Sequence, residues 1–481
     1  NEFDLSARER LMRLLSRREF FSRLGTGAGA LALATLLGEQ ARAEAPRRAT
    51  YDLLPKSPHL PATAKRVIYL FQNGGPSQVD LFDSKPELNK RAGEKPGQGY
   101  VNDVDAKKTG VWLGTPFQFV KHGQSGMELS ELLPELGKHA DEIALVRSMV
   151  SEHENHEQAC CHMHTGMPQA GRPTMGAWIT YGLGTENQNL PAYVALLNPG
   201  GLPVDGARNW SSGWMPPVYQ GMSVRATESS PILNLEARIP RDAADARLQL
   251  LQSLNRDHFQ AHADNLELEA RIANFELAAR MQLAATDALD LSKESAMTRT
   301  LYGLDKNETA VYGRQCLMAR RLVERGVRFV QVMMAGQPWD THSDNANQLR
   351  SLCRSTDGPV SALLSDLKQR GLLEETLVIW TGEFGRTPFA EGKDGRDHHK
   401  RGFSLWVAGG GVKGGVTHGA TDEFGYQAVQ DVVTVADFHA TLLYLLGLDF
   451  QRLTFRHDTR DERLTDVHQA KIIEPILAKK V

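Results

Sequence analysis

Cysteine is scarce in this sequence, which limits the kinds of site that cysteine could build. The 481 residues contain four, Cys160, Cys161, Cys316 and Cys353. Their small number and uneven spacing exclude a disulfide-rich scaffold and a two-by-two zinc knuckle, although a single disulfide would suit an oxidising compartment. A redox function of the adjacent pair Cys160 and Cys161 is disfavoured, because disulfide oxidoreductases separate their two cysteines by two residues.

A strong charge of either sign, internal repeats and low-complexity tracts are also lacking. The formal net charge is −3, and it would be −5 without residues 1–43, which hold seven Lys/Arg and five Asp/Glu. A nucleic-acid partner is therefore not indicated. The length that remains suits one large α/β domain with insertions as well as it suits two domains.

Long hydrophobic runs are missing too. The apolar stretch Leu24–Leu37 is short and rich in Gly and Ala, whereas a membrane-spanning helix needs about 20 apolar residues, so no permanent membrane anchor is expected. The stretch follows Ser16-Arg17-Arg18-Glu19-Phe20-Phe21 and precedes Ala41-Arg42-Ala43. This order is typical of a twin-arginine signal peptide cleaved near Ala43, although paired arginines also occur in ordinary signals. We expect a periplasmic or secreted protein that is exported through the twin-arginine pathway already folded.

Apolar runs of strand length recur along the rest of the chain. They are Val67–Phe71, Ile143–Val150, Ala192–Leu197, Val327–Met334, Thr376–Thr381 and Phe403–Ala408. Helical patterns lie between them, such as Asp357–Arg370 and Thr434–Leu446. This alternation predicts an α/β fold with a central, mostly parallel sheet and helices on both faces. In such sheets functional side chains gather at the carboxyl ends of the strands.

The same patterns predict the domain organisation. A signal peptide over 1–43 and a Pro-rich entry segment over 44–64 precede one α/β domain over 65–475. Within that domain, residues from about 242 to 300 carry Leu, Ala, Glu and Arg at helical spacing with almost no strand pattern. They predict a helical insertion beside the sheet.

Polar clusters follow the first two of these predicted strands. Asn73 closes the first strand just before Gly74-Gly75, where the backbone could approach a ligand closely or form an ordinary turn. Residues 151–166 follow the second strand and contain four of the sixteen histidines, among them His153 and His156. Imidazole suits metal ligation and acid/base chemistry, whereas the plain alternative is a polar helix start.

Two more clusters follow the Val327 and Thr376 strands. Asp340 and His342 are two residues apart, so both can point to one side of an extended segment, as a pair of ligands requires. Glu383 and Arg386 close the Thr376 strand. Arg386 could hold a phosphate or sulfate in its planar fork, or it could pair with Glu383.

A fifth cluster, which contains His398 and His399, immediately precedes the Phe403 strand. Each cluster alone could be a surface loop. Five polar clusters that flank successive strands of one sheet indicate a functional site.

Taken together, these segments resemble the family known as domain of unknown function 1501, which is grouped with the alkaline phosphatase and sulfatase superfamily. The resemblance spans nearly all of the chain after residue 43. It is carried by six segments: QNGGPSQVDLFDSKP at Gln72–Pro86, HENHEQACCHMHTG at His153–Gly166, WDTHSDN at Trp339–Asn345, TGEFGRTP at Thr381–Pro388, GRDHH at Gly395–His399 and VADFHATLLYLLGLD at Val435–Asp449.

The resemblance implies an alkaline phosphatase/sulfatase-like fold, with departures at the site. Asn73 stands where the superfamily has a metal-binding Asp, and His156 stands near the place of the nucleophile. Cys160 and Cys161 come four and five residues too late for a sulfatase nucleophile. Glu383-Phe384 replaces the Asp-His pair of the superfamily, which keeps a carboxylate and loses an imidazole.

We therefore expect a metal-dependent hydrolase of phosphate or sulfate esters that acts on a small-molecule or glycan substrate. One divalent ion, Zn, Ca or Mg, would be held by Asp340, His342, Glu383 and one of His398 and His399, with Asn73 as a further metal residue. His156 would act as nucleophile or general base, assisted by His153, and Arg386 would clamp the anion. The rival hypothesis is a non-catalytic member of the fold that binds a glycan, a cell-wall polymer or a protein.

Overall fold

The structure is a computed structural model that describes residues 52–226, 241–261 and 266–479. The described residues belong to one compact unit. The expected signal peptide over 1–43 lies outside them, as does the first part of the expected entry segment. None of the described helices is long and apolar enough to cross a membrane.

A nine-stranded sheet forms the centre of the described fold, in the order β12-β4-β11-β8-β1-β7-β5-β6, with β15 paired to β4. Its strands are β1 Arg66–Phe71, β4 Ile143–Val150, β5 Tyr193–Leu197, β6 Met222–Arg225, β7 Phe329–Met333, β8 Thr376–Thr381, β11 Phe403–Ala408, β12 Val416–His418 and β15 Val433–Thr434. Four two-stranded ribbons surround the sheet: β2 Phe119–His122 with β3 Met127–Ser130, β9 Gly385–Arg386 with β10 His398–His399, β13 Ala420–Thr421 with β14 Ala428–Gln430, and β16 Phe455–His457 with β17 Arg460–Glu462.

One strand of the central sheet runs against the others. β11 pairs antiparallel with both β4 and β8, whereas every other pairing within the described sheet is parallel. Because β11 is reversed, its beginning lies at the edge where β4, β8, β1 and β7 end. The residues just before β11 therefore join the polar residues that follow the other strands.

The helices cover both faces of the sheet. They are α1 Gln78–Leu81, α2 Pro86–Lys90, α3 His156–Thr165, α4 Met175–Leu183, α5 Arg241–Ala261, α6 Leu266–Leu289, α7 Ala296–Leu301, α8 Ala310–Glu324, α9 Asn345–Gln369 and α10 Val435–Leu445. The helices α5 and α6 occupy the region where the sequence predicts a helical insertion.

Two apolar cores form because alternate side chains of each strand face opposite sides of the sheet. In β1, Ile68 and Leu70 pack in one core with residues of α8 and α9. Val67, Tyr69 and Phe71 pack in the other core with residues of α3, α4 and α10. The predicted mostly parallel sheet with helices on both faces is thereby confirmed.

The long helix α9 departs from the sequence-based prediction. Asp357-Gly358-Pro359 has the appearance of a helix start, since Pro is favoured in a first turn, yet α9 begins twelve residues earlier at Asn345 and contains Pro359. Leu349 and Cys353 in its first half are buried in the core. Their burial favours helix on both sides of Pro359, an effect that local propensity does not predict.

Candidate functional site

The polar clusters converge at the edge of the sheet where β4, β7 and β8 end and β11 begins. His156 is the first residue of α3, in the connection that follows β4. Asp340 lies in the loop after β7, and Glu383 lies two residues beyond β8. His398 belongs to the short strand β10, which precedes β11. Four separate segments thus supply side chains to one place.

One carboxylate oxygen, Asp340 Oδ1, is the common centre of the cluster. His342 Nε2 lies 2.9 Å from it, His398 Nε2 3.1 Å and His156 Nε2 3.2 Å. The guanidinium of Arg386 donates to the same oxygen at 2.5 Å. Burial would raise the pKa of Asp340, but the three imidazoles and Arg386 outweigh it and hold that pKa far below its usual range.

The two most buried histidines of the cluster have their Nδ1 atoms occupied. His156 Nδ1 donates to Glu383 Oε1 at 2.7 Å, and His398 Nδ1 donates to the carbonyl oxygen of Glu154, also at 2.7 Å. When each ring is neutral, its Nε2 therefore carries a lone pair directed toward Asp340. Such a geometry suits metal ligation.

The two imidazoles differ in their protonation. Burial lowers the pKa of His398, so this ring is neutral at pH 7. Burial would also lower the pKa of His156, but Asp340 and Glu383 raise it to about 9. A proton therefore occupies His156 Nε2 when no cation is present, and a bound cation would have to replace it.

Two buried acceptor atoms of the candidate residues, Glu383 Oε2 and Asn73 Oδ1, lack a nitrogen or oxygen hydrogen-bond partner within the described parts of the chain. Unpaired buried acceptors are unusual in folded proteins and call for an explanation. The sets His156, Asp340, His398 and His342, Asp397, His398 each bring ligand atoms within 4.8 Å of one another. The donor set therefore fits a cation.

Arg386 is placed differently from the expected anion clamp. Its side chain is completely buried. Besides Asp340, it donates to the carbonyl oxygens of Gly74, of Gly75 at 2.9 Å and of Arg396 at 3.1 Å. Four of its five N–H groups are thereby used within the protein. Arg386 thus ties Asp340 to the turn after β1, and its expected role as an anion clamp stays a prediction.

Three other expected site residues have partners other than Asp340. The ring of His399 contacts Asp103 and the carbonyl oxygen of Tyr426, because consecutive residues of β10 point to opposite sides. His153 Nδ1 accepts from the backbone N–H of Asn155. Asn73 donates through its amide to the carbonyl oxygens of Met334 and Gly336 at 2.9 and 2.5 Å. The structure thus brings His398, and neither His399 nor His153, to Asp340.

The cysteines are poorly suited to this chemistry, although the Cys160 thiol contacts Glu383. All four are free and buried. Burial raises the pKa of the Cys160 thiol well above its usual value and also raises that of Cys161. A thiol whose pKa is raised is a poor nucleophile and a poor redox group at neutral pH. This environment agrees with the low expectation for a redox function.

Two carboxylates near the cluster were not among the residues expected from the sequence. Glu391 Oε2 accepts a hydrogen bond from His342 Nδ1, and Asp397 Oδ1 lies 3.8 Å from the same nitrogen. Asp397 stands in the GRDHH segment beside the histidines, so its position was a usable signal. Glu391 lies outside every segment that carries the family resemblance, and only the folded chain brings it to His342.

Gly74 permits the close approach on which the position of Asp340 depends. Its φ is +113°, and an added Cβ would lie 2.5 Å from the backbone nitrogen of Asp340. We predict that Gly74→Ala lowers the free energy of unfolding by about 1–3 kcal/mol for the backbone conformation alone. Urea denaturation of metal-free protein measures this change. Gly97→Ala is the control, since nothing lies within 4 Å of its added Cβ; equal losses in the two variants would contradict the prediction.

Comparisons with known proteins give one family match. A family model described as "Protein of unknown function (DUF1501)" matches residues 64–477. A search of curated proteins finds no match to this sequence.

Solved structures with similarity include PsFucS1 sulfatase from Pseudoalteromonas sp., at 13% identity and a TM-score of 0.35, covering 80% of this chain and 68% of that one. A protein in the alkaline phosphatase superfamily from Vibrio parahaemolyticus has 10% identity and a TM-score of 0.34, with coverage of 83% and 72%. Ps i-CgsB, solved in complex with k-i-k-neocarrahexaose, has 11% identity and a TM-score of 0.33. The chain spans 66% of its length. All three TM-scores lie below 0.5, so these structures assign no role to any residue of this chain.

Proposed function

Since the chain belongs to the DUF1501 family of proteins of unknown function, we propose from its own site that it is an exported, metal-dependent hydrolase of phosphate or sulfate esters. The observation that carries the proposal is the convergence of three imidazole Nε2 atoms within 3.2 Å of Asp340 Oδ1. Electron-rich atoms gather in this way around a cation.

The residues would divide the work as follows. His156, His342, His398 and Asp340 hold the cation, and Glu383 orients the ring of His156 through the hydrogen bond to Nδ1. His156 is then a ligand rather than the nucleophile or general base expected from the sequence. A set rich in imidazole favours zinc over calcium or magnesium, which prefer oxygen ligands.

The cation would polarise the ester oxygen and lower the pKa of a bound water. The chain's own contribution to anion binding is the N-terminus of α3. Helix α3 begins at His156, and the side chain of Asn155 does not cap it. The first N–H groups of a helix have no partner within it and favour a negative charge. An ester anion beside His156 would thus face both this N-terminus and the cation.

The rival function is binding without catalysis, and Arg386 is the observation that favours it. Its buried guanidinium is engaged by Asp340 and three backbone carbonyls. It therefore has little left to offer a transition state that gains negative charge. A glycan or cell-wall polymer could use the same site as a ligand.

Elemental analysis and a substrate panel separate the two functions. We predict that protein expressed with its own N-terminal segment and purified without chelator carries bound zinc in stoichiometric amount. It should hydrolyse at least one member of a panel of phosphate and sulfate esters, and a chelator should abolish turnover until zinc is restored. Stoichiometric metal without turnover would favour the binding protein. Absence of both would refute the hydrolase.

A further inference from the structure

His342 is the most exposed of the four candidate ligands. Its side chain is 38% exposed, against 15% or less for the other three. On the side of the ring away from Asp340, two carboxylates face Nδ1, those of Glu391 and Asp397. Glu391 accepts the hydrogen bond from Nδ1, whereas Asp397 Oδ1 at 3.8 Å makes a charge contact only. A metal-binding imidazole usually donates its other N–H to such a carboxylate, which fixes the ring.

One surface segment contacts both carboxylates, at the oxygen atoms that do not face His342. We call residues 102–113 the strap. Asn102 Nδ2 donates to Asp397 Oδ2 at 2.7 Å, and Lys108 Nζ lies 3.7 Å from Glu391 Oε1. The neighbouring strap residue Asp103 contacts His399 and Arg401, the two residues that flank Lys400 before β11. The strap therefore reaches the candidate centre only through residues that surround it.

Asn102 is buried and makes three hydrogen bonds within its own segment besides the one to Asp397. Only 3% of the residue is exposed. Its Oδ1 accepts from the backbone N–H groups of Val104 and Asp105 at 2.8 and 3.0 Å. Its own N–H donates to Thr109 Oγ1 at 2.9 Å. Because the oxygen is committed to the strap, the amide nitrogen must face Asp397.

The far end of the strap is fixed beside Glu391 by backbone contacts. Ala390 N donates to Val111 O at 2.8 Å, and Leu113 N donates to Pro388 O at 2.9 Å. A Cβ added to Gly110 would lie 2.0 Å from the carbonyl oxygen of Ala390. The strap is thus clamped at both ends against the segments that carry Asp397 and Glu391.

We propose that Asn102 is a positioning residue of the candidate metal centre: it fixes Asp397, whose Oδ1 accepts from the backbone N–H of His398 and faces His342 Nδ1 at 3.8 Å. The inference rests on the proposed function, because it needs the centre to bind a cation. Loss of such outer partners typically lowers metal affinity 10- to 100-fold.

A reciprocal exchange at one contact tests the proposal. Asn102→Asp keeps the oxygen that the strap uses but sets a carboxylate against Asp397. Asp397 Oδ1 accepts from His398 N at 2.8 Å, so Asp397→Asn alone must give up one of its two acceptor roles. In the double variant, Asn at 397 donates to Asp at 102 and still accepts from His398. Val104→Ala, an exposed change in the strap, is the matched control.

Zinc affinity is measured by competition with a chromophoric chelator, and the stability of each metal-free variant by urea denaturation. We expect zinc affinity to fall about 10- to 100-fold in each single variant, to return to within about threefold in the double variant, and to stay unchanged in Val104→Ala. A merely structural contact would lower the stability of the metal-free protein and leave zinc affinity alone.

The outcomes separate the two claims. Wild-type zinc affinity in Asn102→Asp overturns the inference by itself, and so does failure of the double variant to recover when both single variants are weakened. If Asn102→Asp does not fold, the comparison of Asp397→Asn with the double variant tests the same contact. A wild-type protein that binds no zinc overturns the proposed function and takes the inference with it.

Discussion

Replacement of Asp340 by alanine is expected to abolish metal binding and to destabilise the metal-free protein. Asp340 Oδ1 is the atom that His156, His342 and His398 all approach, so its loss removes the charged member of the ligand set. We expect bound zinc to fall below about a tenth of the wild-type amount, because the single carboxylate anchors the site.

The destabilisation has a separate cause. Arg386 is completely buried, and Asp340 is the carboxylate that neutralises it at 2.5 Å. Removing one partner of a buried ion pair leaves an uncompensated charge and costs about 3–5 kcal/mol. Urea denaturation of the metal-free variant measures this loss, and elemental analysis measures the zinc.

Two further variants make the result specific. Asp340→Asn retains an oxygen but not the charge, and it should fall between wild type and Asp340→Ala in both measurements. Asp394→Asn removes an exposed negative charge from the neighbouring loop, where Asp394 accepts from the backbone of Asp344. We expect it to change neither quantity. Stoichiometric zinc in Asp340→Ala would contradict the prediction, because it would show that other residues hold the cation.

Mild acid is expected to lower the free energy of unfolding through three buried histidines, His162, His164 and His439. Burial lowers the pKa of His162 to about 3, of His164 to about 4 and of His439 to about 4. All three pKa values lie below the unfolded value of about 6.5. The unfolded chain therefore binds more protons than the folded one as the pH falls below about 6.5, and stability is lost in that direction.

The size of this effect follows from the same linkage. Each of the three contributes about 1.4 kcal/mol per pH unit below the unfolded pKa, so together they lower the free energy of unfolding by about 4 kcal/mol between about pH 7.5 and about pH 5.5. His156 has the opposite shift, to about 9. Its contribution grows by about 1.4 kcal/mol between the same two pH values, because the folded ring is already protonated while the unfolded one still has to bind its proton, so it offsets about a third of the loss.

The variant His439→Gln removes the contribution of one of the three histidines to the pH dependence of stability. His439 Nε2 donates to the carbonyl oxygen of Met163 at 2.9 Å, and the glutamine amide can make the same bond without titrating. Urea denaturation of metal-free protein at the two pH values should give a loss of stability that is about 1.4 kcal/mol smaller in the variant than in the wild type. An unchanged difference would mean that His439 does not carry the predicted share.

How far the candidate site could be predicted differs between its residues. Asp340, His342 and His398 could be chosen from the sequence because each stands in a polar cluster beside a predicted strand, and strand ends share an edge of the sheet. Glu391 could not be chosen, because it stands in none of the polar clusters beside the predicted strands and forms only an isolated bridge with Gly395. The role of Arg386 depends on which carbonyl groups surround it, and no local pattern encodes that.

The amino-acid sequence by itself determined the strands and helices that depend on local periodicity. Three strands were predicted with the bounds that the structure shows, Ile143–Val150, Thr376–Thr381 and Phe403–Ala408. Short apolar runs between turn-forming residues are typical of buried strands. Only the tertiary structure decided the direction of β11, the face of β10 that meets Asp340, and the capture of Arg386 by the protein's own carbonyl groups. These features depend on contacts between residues far apart in the chain. Such contacts stabilise the protein only after the segments have packed together, so no local pattern predicts them.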